Sequence, residues 1–185
     1  KCPPASAYTA ATRTRGVSAT SPLERSEQIK AQALECRFDA CGIAAAGPIP
    51  RGAFYADWLA RGCAGTMAYL HRHQASRVDV RAWLPWAKSV VVVALNYAQP
   101  RTVAAETNDR TPPGTGSSPT DAARGQVAMY AWGEDYHLVM RERLHGLVAR
   151  ICERFGAPFQ ARVCVDTSAI IERELAAAAG LGWIG

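Results

Sequence analysis

SVVVVALNY, at residues 89–97, is the stretch from which the fold can be read. Four consecutive valines followed by Ala94 and Leu95 form an unbroken β-prone run, the pattern of a strand covered on both faces. Upstream, FDACGIAAA at residues 38–46 predicts a second strand of small residues, closed by Gly47 and Pro48. Downstream, residues 134–155 predict the strongest helix. Tyr136, Val139, Met140, Leu144, Leu147, Val148, Ile151, Cys152 and Phe155 fall on one of its faces. Glu134 and Asp135 at its start, with Arg150 and Arg154 near its end, suit the helix dipole, and Gly156 and Pro158 stop it. Residues 160–165 predict a third strand and residues 169–179 a helix ended by Gly180. The order β, β, α, β, α predicts a layered α/β domain, a mixed sheet flanked by helices.

The rest of the chain is arranged around this pattern. A helix is expected from Leu23, capped by Ser21 or Ser26, with Ile29, Ala33 and Leu34 on one face. Phe54, Tyr55, Trp58 and Leu59 form a helical stripe ended by Gly62, and residues 67–73 predict a second short helix. Residues 72–81 read as a basic connector. Residues 1–22 are polar and acid-free, which predicts a disordered extension. Residues 99–125, rich in Pro, Gly, Ser and Thr, predict a disordered insertion within one domain at residues 23–185.

Composition removes several classes of protein. With 185 residues, 49% of them hydrophobic and 20% charged, the chain is globular and of single-domain size. No apolar run approaches the ~20 residues needed to cross a bilayer as a helix. Six cysteines without a Cys-x-x-Cys pair exclude a disulfide-dense scaffold and a zinc knuckle, and fit a reduced, cytosolic compartment. The net charge of +5 is concentrated at one end, because Lys1, Arg13 and Arg15 stand in residues 1–22. The body is nearly balanced, so nucleic-acid binding cannot be read from bulk charge.

Three places could carry chemistry. Asp166 follows a predicted strand and precedes a predicted helix, at the sheet edge where α/β proteins place ligands. It could serve there as a general acid. Equally, Asp166, Thr167 and Ser168 could cap the helix that follows. His137, at the start of the long helix, reads either as a ligand or proton shuttle or as an exposed first-turn residue. Arg72, Arg77 and Arg81, with His71 and His73, form a basic cluster suited to phosphates or to a solvated connector. Neither G-x-G-x-x-G nor a Walker A sequence is present, and the glycines of residues 180–185 follow a helix instead of opening one.

Four pieces taken in order resemble the epoxyqueuosine reductases, cobalamin and iron–sulfur enzymes of queuosine-tRNA synthesis. They are FDACGIA; WLARGCAGTMAYLHRH with RVDVRAWLPWAKSVVVVALNY; YAWGEDYHLVMRERL; and VDTSAIIERELAAAAGLGWIG. The resemblance implies that this chain is the cobalamin-binding half of a larger enzyme. It implies Asp166 of the VDT motif as proton donor, and Arg77, Ala128 and Asp166 as positions against the corrin. It also implies a tRNA carrying epoxyqueuosine at its wobble position as substrate, reduced there to queuosine. A cytoplasmic monomer that meets no membrane is the corresponding expectation.

The chain departs from the family pattern at several places. Met129 stands where an Arg is usual, Ala128 where some relatives have Cys or Ser, and Ala169 and Ala178 where Pro and Arg are usual. The family continues beyond a position equivalent to Gly185 into cysteine runs that hold two [4Fe–4S] clusters. The iron–sulfur domain is therefore expected to be absent from this chain, and the chain to be a fragment inactive by itself. Two alternatives stay open, a non-catalytic corrin-binding remnant and a corrinoid enzyme like the reductive dehalogenases.

Overall fold

The computed structural model describes residues 21–98, 127–156 and 159–182. The expected insertion, and all but the last two residues of the expected extension, lie outside them.

Helix α1 (Pro22–Glu35) starts at Ser21, not Ser26. The Ser21 hydroxyl accepts the Glu24 N–H at 3.2 Å and the Glu24 carboxylate accepts the Ser21 N–H at 2.8 Å, a reciprocal capping box. Pro22 follows, where its missing N–H costs nothing. At the other end Arg37 takes φ +64°, the Arg37 N–H reaches the Leu34 carbonyl, and the Phe38 N–H reaches that of Ala33. This is a Schellman stop with Arg in the glycine position. It turns Phe38 onto Ala33, and these two with Leu147 form the buried centre.

Strands β1 (Ala40–Ala45) and β2 (Ser89–Ala94) pair antiparallel, Ala40 opposite Ala94 and Ala45 opposite Ser89. Between them run α2 (Gly52–Ala60), α3 (Ala68–His71), α4 (Gln74–Val78) and a 3-10 turn at Val80–Ala82. The stretch expected as a basic connector is thus largely helical. β2 stops at Ala94, short of the expected Tyr97, because β1 has no residue left to offer. The Asp39 carboxylate takes the Asn96 N–H at 2.6 Å in place of a ladder bond.

The layering is as expected, but the sheet is not. Cys41 and Val93, opposite one another, pack with the Phe38 cluster, to which α5 (Tyr136–Phe155) contributes Met140, Leu144, Leu147 and Ile151. The other face carries Gly42, and α6 (Glu172–Ala178) lies against it. A Cβ added at Gly42 would run into the Ala179 carbonyl and stand 2.9 Å from the Ala179 Cβ. Among the described residues, helices therefore cover both faces of a two-stranded antiparallel sheet, not of a mixed one. The valines at residues 90–93 are only partly buried.

Residues 160–165 are not a strand, since no described strand pairs with them. A run with β propensity needs a free edge beside it, and this one is held instead by side chains. Val165 is buried, and the Arg162 guanidinium lies 5.2 Å from the centre of the Trp83 ring. The helix expected from residue 169 begins only at Glu172, because short-range bonds from Thr167 to Val165 and from Ile170 to Ser168 keep the preceding residues in turns.

Candidate active site

Helix α5 brings its first two side chains to one point. Gly133 turns the chain at φ +82°, and Asp135 then caps the helix by accepting the His137 N–H at 2.9 Å. The same Asp135 oxygen lies 2.8 Å from His137 Nδ1. Tyr136 and His137 stack with ring centres 4.1 Å apart and planes 27° from parallel. Both polar tips reach a single atom, Asp166 Oδ2. The Tyr136 hydroxyl donates to it at 3.0 Å, and His137 Nε2 lies 3.4 Å away.

His137 therefore bridges two carboxyl groups. Ionised carboxylates can only accept, so the doubly protonated imidazolium is the form that satisfies both. The Asp135 hydrogen bond accordingly raises the His137 pKa, with Asp166 adding to the effect and desolvation opposing it. In return the His137 amide, and then its ring, hold Asp135 below the usual carboxylate value. Desolvation raises the Tyr136 hydroxyl, and the Asp166 carboxylate it donates to raises it further.

Asp166 itself has φ +56°, a left-handed backbone that costs a side-chain-bearing residue about 1–2 kcal/mol. The Thr167 N–H bonds back to the Val165 carbonyl at 2.6 Å, so Asp166 sits at the apex of a tight three-residue turn. Strained backbone of this kind concentrates where side-chain direction matters. The Asp166 N–H donates to Glu172 Oε1 at 2.9 Å. Desolvation raises the Glu172 carboxyl, while this amide bond opposes the shift. Asp166 does not cap a helix, since α6 begins six residues later. Its side chain is 61% exposed, open to a ligand.

An aromatic row leads away from this point. Tyr130 meets Tyr136 edge to face at 6.2 Å, and Tyr97 meets Tyr130 likewise at 6.4 Å. Tyr130 belongs to a 3-10 turn (Met129–Ala131) that starts from Ala128. Ala128 is thereby tied to the Asp166 neighbourhood through Tyr130 and Tyr136, and its exposed methyl group adds no polar function. Arg77 stands elsewhere. On α4, its guanidinium lies 6.0 Å from the Tyr69 ring centre, and its charge partly opposes the desolvation that raises the Tyr55 hydroxyl. Its Nε is buried without a hydrogen-bond partner.

His137, one of whose sequence readings was an exposed first-turn residue, is a direct neighbour of Asp166. Tyr136, Tyr130, Tyr97 and Glu172 are the residues that sequence reasoning missed. The Asp135 cap beside His137 is the one local signal for Tyr136. Glu172 has no local signal, because only the turn at residues 166–171 folds it back.

A carboxylate presented at a tight turn in a layered α/β frame, gripped by a tyrosine and a histidine, defines a candidate acid–base site of an α/β enzyme. The likeness to known proteins is more particular. Residues 77–167, which include Arg77, Ala128 and Asp166, match the family model of epoxyqueuosine reductase QueG, DUF1730. The chain is 35% identical over 161 residues to an epoxyqueuosine reductase of Leadbetterella byssophila, covering 86% of this chain and 47% of that one. It is 35% identical over 164 residues to that of Xanthomonas campestris pv. campestris, covering 89% and 43%. The structure of epoxyqueuosine reductase from Streptococcus thermophilus shares the fold, with a TM-score of 0.58 at 22% identity over 86% of this chain and 39% of that one. These matches support the epoxyqueuosine reductase family for the chain, which spans about half the length of the curated relatives it matches.

Proposed function

We propose that this chain is the corrinoid-binding portion of an epoxyqueuosine reductase acting on tRNA, with Asp166 as proton donor. The observation that carries the reading is the double grip of Tyr136 and His137 on one oxygen of an exposed Asp166 in a left-handed turn. Removing an epoxide oxygen to leave an alkene consumes two electrons and two protons and releases water. Cobalamin, when bound, would supply the redox chemistry, and the protein orientation and protons.

The residues present fit such a group in part. The buried Arg77 Nε lacks an acceptor, a need that an amide or carboxylate arm of a corrin would meet. Ala128 would offer a small apolar contact. Among the described residues, no group of three or more His, Cys, Asp or Glu side chains is placed to hold a metal ion, and no step is assigned to an iron–sulfur cluster.

In this reading the Asp166 carboxylate takes a proton from the His137 imidazolium and delivers it to the departing oxygen. Tyr136 aims the carboxyl group, and His137, backed by Asp135, restores the proton from solvent. The cytoplasm and a monomeric state belong to the same reading. No described helix is long and apolar enough to cross a membrane.

The test uses the chain extended to the length of its relatives and loaded with cofactors. Asp166→Asn keeps the shape while removing the acid, so cobalamin should stay bound and epoxide reduction should fall by about 100-fold or more. Turnover at the unsubstituted rate would refute the assignment.

A further inference from the structure

The geometry points to Glu172 as a positioning residue: by accepting the Asp166 N–H, its carboxyl group fixes the left-handed turn that aims the Asp166 carboxylate at Tyr136 and His137. The inference rests on the reading of Asp166 as proton donor and extends it to the residue that holds the donor in place.

Three observations carry it. First, the Asp166 amide lies where the chain has left the extended segment and has not yet entered α6. Neither a ladder nor a helix supplies its acceptor, and Glu172 Oε1 does so at 2.9 Å. Second, the turn it steadies is an unfavourable one. Asp166 has φ +56° and lacks the freedom of glycine, so the local chain by itself relaxes toward φ below zero. Such a rotation swings the carboxylate away from Tyr136 Oη and His137 Nε2.

Third, Glu172 is itself anchored. It is the first residue of α6, and two positions later Glu174, buried, pairs with Arg51 at 2.6 Å. The far end of the same helix rests on Gly42 in β1. The frame thus runs from the sheet through α6 and Glu172 to the Asp166 backbone, while α5 grips the side chain from the opposite direction.

The experiment compares Glu172→Gln with Glu172→Ala in the 185-residue chain by NMR, following the exchange of the Asp166 amide and the titration of the His137 ring. Gln retains an acceptor oxygen at the same reach and should preserve both signals. Ala should speed exchange of the Asp166 amide about tenfold or more, with other amides unchanged. The His137 pKa should also fall as the carboxylate leaves Nε2.

Should Ala prevent folding, Glu172→Asp, one methylene too short to reach, must show the same selective loss. An Ala or Asp variant with both signals intact would overturn the inference, as would Gln behaving like Ala. Because neither signal depends on turnover, the inference can fail while Asp166→Asn still abolishes reduction. It can equally hold while Asp166→Asn does not.

Discussion

At the scale of residues, the site is organised around His137. Its pKa is raised in the folded chain, chiefly by the Asp135 hydrogen bond. Its stabilising contribution is therefore complete below the unfolded value of about 6.5 and is lost as pH rises through the folded value. Asp135 is shifted down, so its contribution is present above about pH 3.9 and is lost as pH falls through its folded value. The melting temperature should consequently decline as pH is taken from about 6 to about 8, and His137→Gln should flatten that decline. The ring titration separates the partners. Asp135→Asn should lower the His137 pKa more than Asp166→Asn does, since the Asp135 bond is the larger cause. Equal shifts would mean that the imidazole leans on Asp166 as much as on Asp135.

At the scale of elements, α6 is short, and its placement comes from what it touches at each end. Seven residues are too few for a helix to persist in water by propensity. The Arg51–Glu174 ion pair holds its first half, and the close approach of Ala179 to Gly42 seats its end. Gly42→Ala places a methyl group where the Ala179 carbonyl now stands, an overpacking that should cost about 1–3 kcal/mol. Chemical denaturation checks the cost. The consequence for the site is read at the Asp166 amide, whose exchange should quicken as α6 moves away and carries Glu172 with it. A Gly42→Ala chain as stable as the parent would show that α6 is seated by other contacts.

At the scale of the whole molecule, helices cover both faces of a two-stranded sheet, and two candidate features stand apart on it. Asp166 and the tyrosine row lie beside the start of α5, while Arg77 stands with Tyr55 and Tyr69 on the helices between β1 and β2. Under the proposed function both would hold the corrin. Cob(II)alamin mixed with the 185-residue chain should therefore show altered absorption and EPR signals at high protein concentration. Arg77→Ala should weaken that binding by about tenfold, the value of one hydrogen bond to a buried, otherwise unpaired donor. Signals identical to those of the free cofactor would exclude binding by this portion alone.

The chain's own sequence determined those features that depend on near neighbours. The Ser21 cap with Glu24 three residues on, the periodic face of α5, the start of the valine strand and the Gly156 stop are each set within a few residues, and each formed within a residue or two of its expected position. Asp166 was legible as a candidate for the same reason, since it stands at a junction marked by local pattern. What the tertiary structure decided depends on partners distant along the chain. Residues 160–165 have strand character yet pair with no described strand, because an edge at hydrogen-bonding distance is a property of the packed molecule. Likewise, His137 and Tyr136 are about 30 residues from Asp166 in sequence and meet it only in the folded chain. A left-handed Asp166 and the Glu172 that accepts its amide belong to the same class. The backbone conformation of a non-glycine residue is not written in its identity, and contacts made elsewhere in the fold hold it there.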